Sequence, residues 1–363
     1  MSQNPFDLHA ERLSTTDDEG HRVFLYPEDV KGIWRKRRTY FYWALVLSAI
    51  VIPWLHINNQ QLVRIDLPNR EFHFFGIHLW AHDIPYMFLL LVFFVFLMGL
   101  VTAIWGRVWC GWACPQTVFI DTLYRGVEKI IEGPARMRAN LDKAPWSFEK
   151  FLKRFLKWSL FLIISTILAH SAIGYFVGTK NLIHIVTQSP SANWPAFLGT
   201  IFFTLLFLFD FGWFREQFCL IACPYGRFQS VLMDGDSLTV TYDFNRGEPR
   251  KAVSVSKEEQ GDCVNCYACV RACPTGIDIR RGNQLECIAC TNCIDACDMV
   301  MEKVKKPTGL IRYSSENSIH NKQSPFIRPR TIIYFSILFI ITIVSLFLFY
   351  GKDNLRVLFV RGS

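Results

Sequence analysis

Charge is what this sequence has least of. Charged residues fill 19% of its 363 positions, against roughly 25% in an average soluble domain. Apolar types reach 51%, which excludes a disordered chain and a collagen-like rod. No apolar run occurs in the first 39 residues, so no cleavable signal peptide is expected. No CxxCH is present, which removes c-type haem attachment. The 12 cysteines are too sparse for a small secreted disulfide scaffold.

What is present is apolar sequence gathered into blocks. Tyr40–Ile57, Ile84–Trp105, Trp158–Val177, Trp194–Trp213 and Thr331–Tyr350 each approach the ~20 residues that cross a bilayer core of ~30 Å. Runs this long and apolar satisfy their backbone in lipid only as helices, so five transmembrane helices are expected. Pro53 lies within the first and shortest block.

Sidedness follows from Lys and Arg in short loops. Lys31, Arg35, Lys36, Arg37 and Arg38 precede the first block, and the loop from Arg107 to Lys157 is densely basic. The opposite loops hold Arg64, Arg70 and Lys180. The N-terminus, that basic loop and residues 214–330 are therefore expected in the cytoplasm, with the tail after Tyr350 outside. This topological use of positive charge makes nucleic acid an unneeded partner and membrane lipid an expected one.

Phe148, Phe151, Leu152, Phe155 and Leu156 recur at helical spacing with basic residues between them. They predict an amphipathic surface helix over Ser147–Trp158 that turns into the third span. Gln116–Glu132 reads as a similar helix ending at Gly133-Pro134. Tyr242–Arg250 reads as a turn-rich linker, either plainly solvated or docking on membrane-proximal loops through Arg246, Glu248 and Arg250. His56, His73, His78, His82, His170 and His184 read as scattered interface or span residues.

Two cysteine patterns carry the chemistry. Cys263, Cys266, Cys269 and Cys273-Pro274 form a C-x2-C-x2-C-x3-C-P run, and Cys287, Cys290, Cys293 and Cys297 repeat the spacing. This is the pattern of bacterial two-cluster ferredoxins, in which the fourth cysteine of each run ligates the other cluster. Cys263, Cys266, Cys269 and Cys297 are thus expected to hold one [4Fe–4S] cluster, and Cys287, Cys290, Cys293 and Cys273 the second. Zinc also accepts four thiolates, but a zinc ribbon has no need of this doubled spacing. Asp298 stands where a proline would complete the second run. Arg271, Arg280 and Arg281 are either tuning charges near the clusters or a solvated face.

The second pattern is CxxxCP, met at Cys110/Cys114-Pro115 after the second span and at Cys219/Cys223-Pro224 after the fourth. Thiols at i and i+4 share a helix face. The two pairs, joined by packed spans, suit a four-thiolate site for Cu(I), zinc or iron–sulfur. Buried free thiols are the alternative.

The expected layout is a cytoplasmic segment 1–39, a bundle 40–214 with the first CxxxCP, and a stretch 215–256 with the second. An α+β ferredoxin domain 257–306, a linker 307–330, a last span 331–350 and a short tail 351–363 complete it.

The strings GRVWCGWACPQTVF, CPYGRFQSVLMDGDSLTVTYDFNRGEPR and GDCVNCYACVRACPTGIDIRRGNQLECIACTNCIDACDMVMEKVKKPTGLIRYSSEN, with YPEDVKGIWRKRR upstream, resemble the cytochrome c oxidase accessory protein family CcoG, also FixG or RdxA. The resemblance implies a polyferredoxin of the bacterial inner membrane that helps mature cbb-type oxidase. It implies an oxidoreductase that reduces Cu(II) to Cu(I) at Cys110, Cys114, Cys219 and Cys223. The cofactors would be two [4Fe–4S] clusters, with copper handled at the CxxxCP pairs. Partners would be oxidase assembly factors, copper chaperones and a cytoplasmic donor or quinol; a homodimer stays open. Family members continue into an extracytoplasmic β-sandwich, and LRVLFVRGS reads as its beginning. Two other functions fit the motifs: a quinol-oxidising subunit of an anaerobic respiratory chain, and a non-enzymatic redox sensor or assembly scaffold.

Overall fold

The computed structural model describes residues 15–16, 19, 21–57, 60–80, 83–251, 260–322 and 324–350. Helix α1 (Ile33–Val51) leads to short antiparallel pairs, β1 (His56–Ile57) with β2 (Gln60–Gln61), then β3 (Val63–Asp66), β4 (Glu71–Phe74) and β5 (Ile77–Leu79). Helix α2 (Ile84–Trp105) follows, then α3 (Val108–Trp112), α4 (Pro115–Phe119), a π-helical turn Ile120–Tyr124, α5 (Arg125–Ile131) and α6 (Ala135–Lys143). Next come α7 (Phe148–Val177), α8 (Thr179–Thr187) and α9 (Trp194–Phe207), which continues as π-helix through Leu208–Phe214. A second π turn, Phe218–Ala222, opens onto α10 (Pro224–Leu232), β6 (Thr239–Tyr242), α11 (Phe244–Gly247), α12 (Ala268–Arg271), α13 (Asn292–Lys303), β7 (Ile311–Ser314), α14 (Glu316–Ile319) and α15 (Pro329–Tyr350).

Among the described residues, four helices are long and apolar enough to cross a membrane: Pro85–Trp105, Phe148–Val177, Trp194–Phe214 and Pro329–Leu348. The expected first span, Tyr40–Ile57, is not among them, and the count of five is corrected to four. Four consecutive basic residues, Arg35 to Arg38, occupy the start of α1. Its apolar part, Tyr40–Val51, rises only about 18 Å at 1.5 Å per residue, short of a ~30 Å core. Pro53 then turns the chain through a 3₁₀ turn into β1.

The spans pack in pairs. α2 lies antiparallel to α15: Tyr86 Oη donates to the Leu348 carbonyl at 2.9 Å, and Gly99 faces the Tyr334 ring. α7 packs on α9 through Phe161 and Phe211, which close around Tyr124 of the π turn; the Tyr124 and Ser165 hydroxyls share a 2.7 Å hydrogen bond.

Helix α7 departs from expectation in one respect. It runs unbroken for 30 residues from its Ser147 cap, which accepts from the Lys150 N–H, so no turn separates an amphipathic part from a span. Its apolar face points outward, as a helix at a membrane surface requires. Lys150 and Lys157 are buried while Phe148, Phe151, Leu152 and Phe155 point outward. Lys157 Nζ reaches Glu132 at 2.8 Å, and Lys150 Nζ donates to the Asp142 and Ala144 carbonyls. The apolar face that a soluble helix would bury is the one free for lipid here.

Beyond the bundle, β6 and β7 pair antiparallel from Thr239↔Ser314 to Tyr242↔Ile311 and bracket the ferredoxin segment. Val240, Tyr242, Ile277, Ile294, Met301 and Leu310 form its core. Tyr242–Arg250 is not a plain linker, nor does it dock on membrane-proximal loops: Arg246 pairs with Asp262 and donates to the Pro307 and Thr308 carbonyls, all within this segment. Arg250 pairs with Glu248 at 2.6 Å. Asp298 accepts the Gly309 N–H at 2.8 Å and so fastens the chain ahead of β7.

A buried ionic knot ties α5 to α9. Arg215 donates to Glu128 from both terminal nitrogens, at 2.5 and 3.2 Å, and Arg138 joins at 3.1 Å. Burial alone raises the Glu128 carboxyl, but Arg215, Lys157 and Arg138 overcome that and hold it at about 2. A depressed carboxyl stabilises fully above its ordinary value near 4.5 and loses that contribution as pH falls towards 2. We expect the melting temperature of the detergent-solubilised protein to fall across that window. Glu128→Gln should cost about 3–5 kcal/mol at neutral pH, because it leaves Arg215 buried without a counter-charge; thermal unfolding of the two proteins checks this.

Candidate metal centres

The two ferredoxin runs bend their backbones alike. Asn265 and Tyr267, on either side of Cys266, have φ of 54° and 57°. Ala289 and Thr291, on either side of Cys290, have φ of 53° and 65°. Left-handed residues at matching positions turn successive N–H groups inward, a concave nest suited to an anion. The Ala289 N–H reaches the Cys287 sulfur, and the Thr275 and Ile277 N–H groups reach that of Cys273.

Two thiol groups result. Cys297 lies near Cys263, Cys266 and Cys269, and Cys273 near Cys287, Cys290 and Cys293. Cys269, Cys273, Cys287, Cys290 and Cys293 line one cavity. Burial pushes up Cys269, Cys273, Cys287 and Cys293, Cys273 to about 11 and Cys269 and Cys287 to about 12. Among the described residues no three His, Cys, Asp or Glu side chains gather tightly enough to hold a single ion. Buried thiols around a nest, spaced too widely for one zinc ion, fit a cluster of several irons. Cys266 alone of the eight is exposed.

Of the nearby arginines, Arg271 pairs with Glu28 at 3.1 Å, and Arg280 is buried against Asp278 with its guanidinium 4.1 Å from the Tyr267 ring centre. Among the described residues the histidines join no group of three metal ligands. His170 holds the Thr166 carbonyl, His184 lies beside Gln188, and His56 and His73 line a polar cavity at the β1–β5 end. His82 lies outside the described residues.

The CxxxCP motifs repeat down to their dihedral angles. Gly106 (φ 54°, ψ −127°) and Arg215 (φ 50°, ψ −124°) each stand four residues before the first cysteine. The Cys114 N–H donates to the Trp109 carbonyl at 2.9 Å, and the Cys223 N–H to that of Phe218 at 2.8 Å. Each second cysteine is extended, and its proline opens a new helix. Arg215 takes a conformation that glycine fills in the first copy, and the Glu128 ion pair fixes it there.

The two copies cross-link. Gln116 Nε2 donates to the Arg215 carbonyl at 3.2 Å, and Arg107 donates to the Gly226 carbonyl. The four thiols lie close together: Cys110, Cys114 and Cys219 each have their cost of ionisation raised by other members of the quartet. Burial is the larger cause, lifting Cys110 to about 12 and Cys219 further. Cys110 Sγ donates to Gln229 Oε1 at 3.3 Å, and the Gln229 Nε2, fully buried, makes no hydrogen bond.

This quartet abuts the ferredoxin segment. A side chain at Gly111 would stand 2.3 Å from the Ile288 carbonyl oxygen and 2.7 Å from that of Ala289. Trp112 Nε1 donates to Tyr313 Oη, which donates to the Ala289 carbonyl, both at 3.2 Å. Cys219 and Cys290 line the same cavity. Sequence reasoning missed Gly111, Arg107 and Gln229. The only hint was asymmetry: Gly111 has Leu220 as its counterpart, so the glycine is not part of the repeat.

A 4Fe-4S dicluster domain model matches residues 214–316, and a 4Fe-4S binding domain model matches residues 86–133. The chain is 39% identical to Protein RdxA and 37% to Protein RdxB of Cereibacter sphaeroides, over 82% and 85% of its length. It is 36% identical to nitrogen fixation protein FixG of Rhizobium meliloti over 80%. The chain belongs to the FixG/RdxA family. It spans 64%, 68% and 57% of those three relatives' own lengths. No solved structure matches it. Family, cysteine pattern and apolar helices together make it a membrane iron–sulfur electron-transfer protein.

Gly111→Val should push the Ile288–Ala289 loop outward and damage the second cluster before the first. Iron in an anaerobic preparation is expected to fall from about eight towards about four per chain. Unchanged iron and an unchanged low-temperature EPR spectrum would show that the close approach is dispensable.

Proposed function

We propose that this protein passes single electrons from a cytoplasmic donor to the CxxxCP quartet, where Cu(II) is reduced to Cu(I) for assembly of a cbb-type oxidase. The observation that carries the reading is the cavity lined by both Cys219 and Cys290, which joins the quartet to the ferredoxin segment. Cys263, Cys266, Cys269 and Cys297 would hold one [4Fe–4S] cluster, and Cys287, Cys290, Cys293 and Cys273 the other. When bound, they supply one-electron centres of low potential. Exposed Cys266 marks the entry side; the loop against Gly111 marks the exit side.

At the quartet, one electron arrives for each Cu(II) converted to Cu(I). The four thiols do not stand close enough together in this structure to hold one ion jointly; soft thiolates that take the copper in turn or after a small closure would favour the reduced ion. Burial raises the Cys110, Cys114 and Cys219 thiols, Cys110 to about 12, so these three are protonated when empty. Metal binding therefore releases protons, and loading strengthens as pH rises. Cu(I) would then leave for copper chaperones and oxidase assembly factors. The basic residues at the ferredoxin end of the bundle support a cytoplasmic position for that end.

In a Cys110→Ser/Cys223→Ser double variant, iron content and the EPR of both clusters should be retained. Cu(II) reduction by the dithionite-reduced, desalted protein, followed with a Cu(I)-specific chelator, should drop to the protein-free rate. Undiminished reduction would remove the quartet from the reaction.

A further inference from the structure

Six arginines in the described residues are nearly or fully buried: Arg38, Arg107, Arg138, Arg215, Arg280 and Arg328. Five have carboxylate partners, in Asp121, Glu128 (shared by Arg138 and Arg215), Asp278 and Asp234. Arg107 is the exception. It is 7% exposed; its terminal nitrogens donate to the carbonyls of Leu285 and Gly226, and its Nε makes no hydrogen bond. Among the described residues no carboxylate is within ion-pair distance.

A buried charge with no counter-charge is costly and is not retained for stability. The position of Arg107 supplies the missing anion. Leu285 stands two residues before Cys287 in the second ferredoxin run, and Gly226 three residues after Cys223. Its positive charge reaches the Cys287 sulfur on one side and the Cys110 sulfur on the other. Thiolate-ligated centres are anionic, and a cluster is more so by one charge when reduced. A fixed cation beside it in a dry site favours that reduced state.

We propose that Arg107 is the counter-ion shared by the second cluster and the thiol quartet, a positioning residue that favours the electron on the side facing the quartet. This rests on the reading of both sites as metal–thiolate centres. It differs from a packing role in a measurable way, because charge and shape can be varied separately.

The test is an anaerobic redox titration of the full chain in detergent, followed by EPR, with the first cluster as internal reference. In Arg107→Gln the reduced-to-oxidised ratio of the second cluster, taken at the wild-type midpoint, should fall about tenfold, which is about 59 mV for one electron. The first cluster should not move. Arg107→Lys, which keeps charge but loses the paired carbonyl bonds, should stay near the wild-type midpoint. No shift in the Gln variant, or an equal shift in both, overturns the proposal. If the Gln variant fails to hold clusters, the Lys variant decides: a wild-type midpoint supports the shared counter-ion and a displaced one ends it. Failure of the underlying reading looks different, as wild-type iron far below about eight per chain.

Discussion

Everything in the arrangement depends on how closely two backbones touch. The first thiol motif lies against the loop of Cys287–Cys290 with no side chain between them, because position 111 is glycine. Around that contact the bundle is pinned to the ferredoxin segment by Arg38 to the Cys290 carbonyl and by Arg107 to the Leu285 carbonyl, while Tyr42 of α1 holds the Gly111 carbonyl from within the bundle. Asp295 of α13 accepts the Arg35 N–H at 2.6 Å and so caps α1 from the other partner. Carbonyl oxygens and buried donors, more than apolar area, set this interface. Such contacts fix distance and orientation, which is what transfer of an electron between two sites requires.

Duplication runs through both halves. The ferredoxin runs share their left-handed residues, and the CxxxCP motifs share a positive-φ residue, a closing hydrogen bond and a proline-led helix. The copies differ where function asks for one-sidedness. Cys266 is exposed in one run while Cys290 is buried in the other. Gly106 is strain-free in one motif, while Arg215 needs Glu128 in the other.

The sequence was legible where chemistry imposes spacing. The doubled cysteine runs, the CxxxCP repeat and the uncharged blocks at 84–105 and 331–350 all announce themselves. It was misleading where partners were out of view. The apolar spacing of Phe148–Leu156 predicts an amphipathic helix, but not that its lysines are buried; Glu128 and Glu132 draw Lys157 inward, and the Asp142 and Ala144 carbonyls draw in Lys150. Arg246 reads from sequence as either solvated or docking on membrane-proximal loops, and its actual partners, Asp262 and the Pro307 carbonyl, lie 16 and 61 residues away. Tyr40–Ile57 passed as a span because apolar content was weighed without the helix start, which lies seven residues earlier among arginines.

The β6–β7 pair leaves the bundle and returns to it side by side. A two-run cofactor module held at such a neck is topologically a loop, however large. Its two ends are therefore held at one ladder, and a pull on either strand is shared by the other before it reaches the bundle.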